Sequence, residues 1–391
     1  MHSLYMAWQY LRFYKVKTAV LITVLTLIIY LPLAVHILVR ASEEQMLARS
    51  QATPLILGQK GSALDLVMNT LYFASKPPET MPMGEADRVD DTGFAAAIPL
   101  YNRYTARGFP IVGTTLDYFG FRQMEVASGR MIAVLGECVL GATVAAELGL
   151  GPGDTLISTP ENPFDLAGVY PLKMQVVGVL KPRHTPDDRA VLVDVKTAWV
   201  IEGLGHGHEN VATTSDPQNV LSQQVGNIVA SAKIQQYTEI TPDNIDSFHF
   251  HGDTSTFPLT AVIAVPHDDK SATLLMGRYL PTTSPLQMVV PVDVVAALLR
   301  NIFKIQRVLN IIFTVVSIAM LLTIMLIITL SLRLRQSEIE TMYKLGCSRL
   351  KMVELVSAEL GVIMVVSLVL TAGLTGLTLH WQAALMQQFL S

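Results

Sequence analysis

The nine histidines of this 391-residue chain fall unevenly along it. His206, His208 and Glu209 share "GHGHE", His249, His251 and Asp253 share "HFHGD", and His267, Asp268 and Asp269 share "PHDD". Alternating histidines offer neutral imidazole nitrogens at short range, and such donors hold Zn²⁺ or Cu²⁺. His206, His208, Glu209, His249 and His251 are therefore candidate metal ligands, with Zn²⁺ the first ion to consider. The competing reading is a set of exposed loops whose histidines ligate nothing. No other chemistry is signalled. There is no Gly-x-x-x-x-Gly-Lys-Ser/Thr phosphate loop, no His-Glu-x-x-His and no nucleophile elbow. "GLGPGD" (149–154) has glycines but no lysine. A short helix through Val144–Leu148, capped at Gly149 and turned by Pro152-Gly153-Asp154, accounts for it. Asp187-Asp188-Arg189 reads as a turn entering a strand. The chain is expected to be a non-enzyme with no cofactor of its own beyond that candidate Zn²⁺.

The elements that would carry these residues begin with hydropathy. The chain is 51% hydrophobic and 15% charged, against about 25% charged in ordinary soluble domains. A net charge of −4 argues against a nucleic-acid partner. Cys138 and Cys347 are too few for a disulfide framework. Stretches 18–39, 308–332 and 355–379 (uncharged from 360) approach or exceed the roughly 20 residues a helix needs to cross hydrocarbon, so three transmembrane helices are expected. Arg12, Lys15 and Lys17 precede the first. Arg333, Arg335, Lys344, Arg349 and Lys351 lie between the second and third. By the positive-inside rule both segments are cytoplasmic. Residues 40–305 and the tail 380–391 then lie outside. Residues 1–17, with Leu4, Trp8, Leu11 and Phe13 among basic and polar residues, suit an amphipathic helix in the inner interface. The tail carries Trp381, Leu385 and Phe389. Twelve helical residues rise only about 18 Å, so it is expected along the outer interface rather than across the membrane.

Within 40–305, β-branched runs at 109–116, 130–136, 174–180, 189–195, 260–265 and 286–292 predict strands, and 141–149 and 271–279 predict helices. Mixed order predicts a large α+β domain, and about 250 residues suffice for two lobes. "EGLGHGHENVATTSDPQN" (202–219) is the expected boundary or flexible loop.

The segment 333–351 is denser in charge than a plain connector requires. On a helix, Ile339, Met342 and Leu345 recur at spacings of three and form an apolar ridge. Glu338, Glu340, Lys344 and Arg349 rim it. Gly346 is expected to end the helix, and Ser348 to cap the next. Such a ridge suits docking into a groove of a soluble partner.

These residues resemble the permease subunits of MacB-, LolC- and FtsX-like ABC transporters, the mechanotransmission class. That family's pattern between its second and third spans appears here as Arg335, Glu338, Ile339, Met342, Leu345, Gly346, Cys347, Ser348 and Arg349, with Cys347 in place of the usual Ala. Glu359 and Gly361 match a Glu and a small residue at the start of the next span. "GFPIVGTTLDYF", "GECVLGATVAAELGLGPGDTL" and "VVGVLKPRHTPDDRAVLVDV" are similar to phrases of the MacB-type periplasmic domain. The resemblance implies a bacterial inner-membrane permease whose coupling helix, through Arg335, Glu338, Ile339, Met342, Leu345, Gly346 and Arg349, contacts a LolD/MacB-like ATPase dimer. ATP and Mg²⁺ would sit on that partner. It also implies a second permease subunit, identical or a sister, contact with membrane lipid, and a periplasmic adaptor or binding protein as a further partner. The cargo would be lipoprotein, peptide, lipid or drug. The alternatives are an FtsX-like regulator of a cell-wall hydrolase and a component of zinc homeostasis. A sensor receptor is disfavoured, because about 20 cytoplasmic residues hold no signalling domain. The family normally has a fourth span, so the expectation is that either three spans suffice or the chain is a shortened member.

Overall fold

The computed structural model describes residues 2–74, 76–159, 171–207, 220–224, 227–230, 238–280, 283–334, 336–344, 346 and 348–389. The chain divides into a helical unit, Met1–Met46 with Ala297–Phe389, and an α+β unit, Leu47–Ala296.

Long uncharged runs leave the backbone one way to satisfy itself without water, and it forms helices. Three are long and apolar enough to cross a membrane among the described residues: Lys15–Gln51, which includes Pro32, and the stretches Val308–Leu330 and Val353–Trp381 of the helices Pro291–Leu334 and Arg349–Phe389. In the helical unit Leu11, Leu21 and Ile363 form a small buried cluster, against which Ile22, Leu25, Ile324, Ile327 and Val362 pack. Polar groups reinforce it. Tyr30 Oη and Thr378 Oγ1 are 2.8 Å apart, Ser367 donates to the Ile22 carbonyl at 3.3 Å, and Lys17 Nζ lies 3.9 Å from Glu359. Glu359, singled out by the family pattern, is thus a buried partner of the first long helix. Ile311, Val315, Leu322, Met325 and Leu326 are 60–68% exposed. A face this apolar and this open fits hydrocarbon and not water.

The short helix His2–Phe13 buries Ala7 and Leu11 and leaves Trp8 and Phe13 exposed. Backbone helix runs from Arg349 to Phe389 as one element, so residues 380–389 of the tail continue the third long helix. "HWQAALMQQF" contains no proline or glycine to end it.

The α+β unit holds two main sheets. The smaller is antiparallel, in the order Leu286–Val289, Leu55–Gln59, Ala261–Pro266, Ala95–Leu100. The larger is mixed, in the order Thr105–Ala106, Phe109–Thr114, Val191–Asp194, Glu137–Leu140, Lys173–Leu180, Val126–Gly129, with Thr155–Ile157 also on Lys173–Leu180. Tyr101 and Gly113 exchange backbone hydrogen bonds of 2.8 and 2.9 Å and stitch the sheets together. The two sheets share one buried cluster that includes Leu57, Ile111, Leu140, Val191, Trp199 and Val262, within one compact α+β unit. Burying each such side chain contributes about 1.5–3 kcal/mol.

Five of the six predicted strands form. The exception is 130–136, which is irregular between Val126–Gly129 and Glu137–Leu140. Its backbone wraps a buried carboxylate: Ala133 N and Val134 N donate to Glu137 at 2.8 and 3.2 Å, and Arg130 Nη1 at 2.7 Å. A loop around an ion pair took backbone donors that a ladder would have used. Both predicted helices form, as Ala142–Leu148, which ends at Gly149, and Asp269–Arg278.

Candidate functional site

The charged segment between the second and third long helices folds as its composition dictates. Gln336–Lys344 is a helix, Gly346 takes φ 91° in the turn, and Ser348 caps Arg349–Phe389, with the Lys351 amide 3.4 Å from its Oγ. Glu340, Tyr343 and Lys344 are exposed. Arg335, Leu345 and Cys347 lie outside the described residues, as do the side chains of Glu338, Ile339, Met342 and Arg349. What stands is the backbone: residues 338–342 are on a helix, so 339 and 342 fall on adjacent positions of one side.

The histidines form a more defined site. Gly205–Gly207 and Phe248–Phe250 pair antiparallel, in the register Gly205 to Phe250, His206 to His249 and Gly207 to Phe248. Alternation along a strand explains the arrangement. Phe248 and Phe250 occupy one face, where Gly207 and Gly205 leave them room. A Cβ on Gly205 would meet the Phe250 ring at 2.6 Å, and one on Gly207 the Phe248 ring at 2.6 Å. Phe250 packs edge-on against Trp199 (ring centroids 6.5 Å apart), which itself meets Phe257 at 5.2 Å. The opposite face carries the imidazoles. His251 follows the strand, and its amide donates to the Leu204 carbonyl at 3.2 Å, continuing the ladder.

His206, His249 and His251 thus converge, with ring centroids 4.7–5.1 Å apart. Nε2 of His251 is 3.3 Å from Nε2 of His206. Nδ1 of His249 is 3.0 Å from the Ser247 carbonyl, which can only accept, so Nδ1 carries a proton and donates. His206 is half-buried and the other two are exposed. Two of the three sequence patches merge here. His208 and Glu209 lie outside the described residues. Asp253 caps a short 3₁₀ turn through the Ser255 amide at 2.9 Å. The third patch is a helix cap, in which Asp268 accepts from the Ser271 amide at 2.6 Å.

A second cluster was not foreseen. Arg49, in the last turn of Lys15–Gln51, donates to both Asp187 oxygens at 2.6 and 3.0 Å. Tyr118 Oη donates to Asp187 at 2.8 Å and accepts from Arg49 at 3.2 Å, while Arg49 Nε donates to the Leu71 carbonyl. All three side chains are buried. Burial alone raises the Asp187 carboxyl, but the charge and hydrogen bonds of Arg49 outweigh it and hold the group below its ordinary range. Burial, with the Asp187 charge, pushes the Tyr118 phenol up to about 12. The expected turn at Pro186–Arg189 is a 3₁₀ helix entering the strand Val191–Asp194. Nothing in the spacing of Arg49 and Asp187 announced the pair.

A large α+β unit inserted between the first and second of three bilayer-length helices, with a short charged helix before the third, defines a membrane protein built around an extracytoplasmic domain. Residues 21–242 match the family model of the MacB-like periplasmic core domain, more than half of the chain, and the chain belongs to that family. This makes it a permease-type component of an ABC transporter. Among solved structures it is similar to the periplasmic region of MacB from Actinobacillus actinomycetemcomitans, at 11% identity over 66% of this chain and 98% of that one, TM-score 0.34. It is also similar to the extracellular domain of the noncanonic ABC-type transporter YknZ from Gram-positive bacteria, at 12% identity over 60% and 98%, TM-score 0.34. A domain of a putative permease from Porphyromonas gingivalis matches at 10% identity over 60% and 86%, TM-score 0.26. No curated protein matches. The family match ends at residue 242, before the strand that carries His249.

Proposed function

We propose that this chain is the transmembrane subunit of an inner-membrane ABC transporter whose ATP is hydrolysed by a separate LolD/MacB-like ATPase dimer. A second permease subunit completes the complex. The carrying observation is the helix Gln336–Lys344, set between two membrane-length helices and closed by the Gly346 turn. Its sequence places Ile339 and Met342 on one side, with Glu338, Glu340 and Lys344 as polar neighbours. A helix of this kind docks by apolar contact with a charged rim that sets orientation. ATPase closure would push on it and be passed to the extracytoplasmic domain, which moves a lipoprotein, peptide, lipid or drug without a central pore.

Met342→Glu tests this reading. A carboxylate buried without a partner in the dock should weaken association by about 2–5 kcal/mol. The expected result is loss of the ATPase on co-purification and of its stimulated hydrolysis, with permease levels unchanged. Wild-type co-purification and stimulation would overturn the proposal.

A further inference from the structure

The histidine cluster lies outside that coupling reading and stands or falls without it. We propose that His206, His249 and His251 form a binding site for a borderline divalent cation, Zn²⁺ foremost, with the fourth position open to water or to a donor from a bound partner.

Four observations support it. One ring nitrogen from each histidine lies within 4.8 Å of the others, on a pair of strands and the residue that follows them. The closest pair, Nε2 of His206 and Nε2 of His251, is 3.3 Å apart. For Zn–N bonds of about 2.0–2.1 Å, the edge of a tetrahedron is about 3.3–3.4 Å, so these two nitrogens already stand at the separation one ion imposes. The third ring, His249, is exposed, with a nitrogen within 4.8 Å of the other two. His249 has the outer support typical of a metal-bound imidazole: Nδ1–H donates to the Ser247 carbonyl, fixing the tautomer and turning Nε2 into the ligand. Finally, the backbone is arranged for this face. Gly205 and Gly207 receive the phenylalanine rings, which lock the register and leave His206 directly opposite His249.

Donor type selects the ion. Three imidazoles and, among the described residues, no carboxylate suit Zn²⁺, Cu²⁺ or Ni²⁺ and disfavour Mg²⁺ and Ca²⁺, which take oxygen. Three nitrogens with one open position are the pattern of exchanging or reactive sites rather than closed structural ones. The ion would also join the two strands that bracket residues 208–247. Phe250, between two of the ligands, lines a cleft of about 320 Å³ with Thr114, Phe119, Ile132 and Lys196.

The test uses the full chain in detergent micelles, stripped with chelator, then titrated with Zn²⁺ against a chromophoric competitor and with Co²⁺ as a spectroscopic probe. The expected result is one saturable equivalent and the intense visible bands of four- or five-coordinate Co²⁺. His249→Ala should weaken affinity at least about tenfold, since a lost ligand costs no less than a lost supporting contact. His206→Ala/His249→Ala/His251→Ala should abolish the saturable site, and His267→Ala should leave it intact. Absence of a saturable site in the wild type, unchanged affinity in the triple variant, or a weak octahedral Co²⁺ spectrum would each overturn the proposal. The Co²⁺ spectrum needs no variant, so a triple variant that fails to fold does not shield the proposal.

Discussion

The α+β unit contains two polar clusters that differ in one respect. Around Asp187, the donors of Arg49 and Tyr118 meet acceptors within the cluster or on the backbone, and the three groups are buried. Around His206, three rings of one kind converge at the surface, with Nε2 of His206 and Nε2 of His251 3.3 Å apart. The first set is closed, in that Arg49 pairs with Asp187, opposite charge against opposite charge. The second is open, in that its nitrogens are the donors the proposed cation would take.

The largest effect is expected from opening the closed cluster. Asp187→Ala leaves the Arg49 guanidinium buried without its carboxylate, and such a break costs about 3–5 kcal/mol. Urea unfolding of the full chain, read by amide exchange over 187–194, should report that loss. Removing both charges, as Arg49→Met/Asp187→Leu, should recover most of it, because apolar replacement of a buried pair is often near neutral. Acid should act on the same pair. The folded Asp187 carboxyl lies below its ordinary value of 3.8, so its contribution is present above that value and is lost as pH falls through the lower, folded one. Asp188 is raised by burial and shifts the other way, since its ionised form is penalised and acid relieves the penalty. Arg122, also near Asp187, stays cationic throughout and does not alter the sign. The acid-labile part should therefore appear in the wild type below about pH 3.8 and shrink in the double variant. Equal acid profiles would remove Asp187 as its source.

How far each cluster could be read from sequence follows from how local its signals are. The bilayer-length helices were legible because hydropathy is a property of a stretch, and the turn at Gly346 with its cap at Ser348 because capping acts within four residues. The segment 130–136 misled because its β-branched content was outweighed by the ion pair at Glu137 beside it. Arg49 and Asp187 lie 138 residues apart, and neither has an unusual neighbour. For the histidines the types were visible, while the pairing of "GHG" with "FHF" depended on a register that only folding sets. The glycine–phenylalanine alternation was the available clue. Small residues opposite large ones at period two fit a paired ladder better than a loop.

That clue gives the next test, of intermediate size. Gly205→Ala puts a methyl where the Phe250 ring now stands, with carbons 2.6 Å from the new Cβ. Overpacking of this kind costs about 1–3 kcal/mol. Because Phe250 lies between His249 and His251, its displacement should also lower Zn²⁺ affinity, by about tenfold if the ladder positions the ligands as outer-shell contacts do. Phe250→Leu added to Gly205→Ala frees the space and should restore binding in part. Unaltered affinity in Gly205→Ala would mean that the ladder does not position the ligands. The open cluster would then be an accident of exposed histidines.

The smallest effect separates the merged patches from the third. Asp268 resembles a ligand by composition, lying beside His267 and Asp269, yet its carboxylate accepts from the Ser271 amide and opens the helix Asp269–Arg278. That hydrogen bond holds the Asp268 carboxyl below its ordinary range. Asp268→Ala removes a cap, so amides of the first helical turn should exchange faster, by less than about tenfold. The substitution takes no donor from the His206 site, and Zn²⁺ affinity and stoichiometry should remain those of the wild type. Should Asp268→Ala weaken Zn²⁺ binding instead, the third patch would be a contributor, and the contrast between a closed cap and an open histidine cluster would fail at this position. Asp268→Asn sharpens the result, since the amide oxygen can still accept from Ser271 but brings no charge to a cation. Protection of the first turn should return with Asn, while Zn²⁺ affinity stays flat across Asp, Asn and Ala.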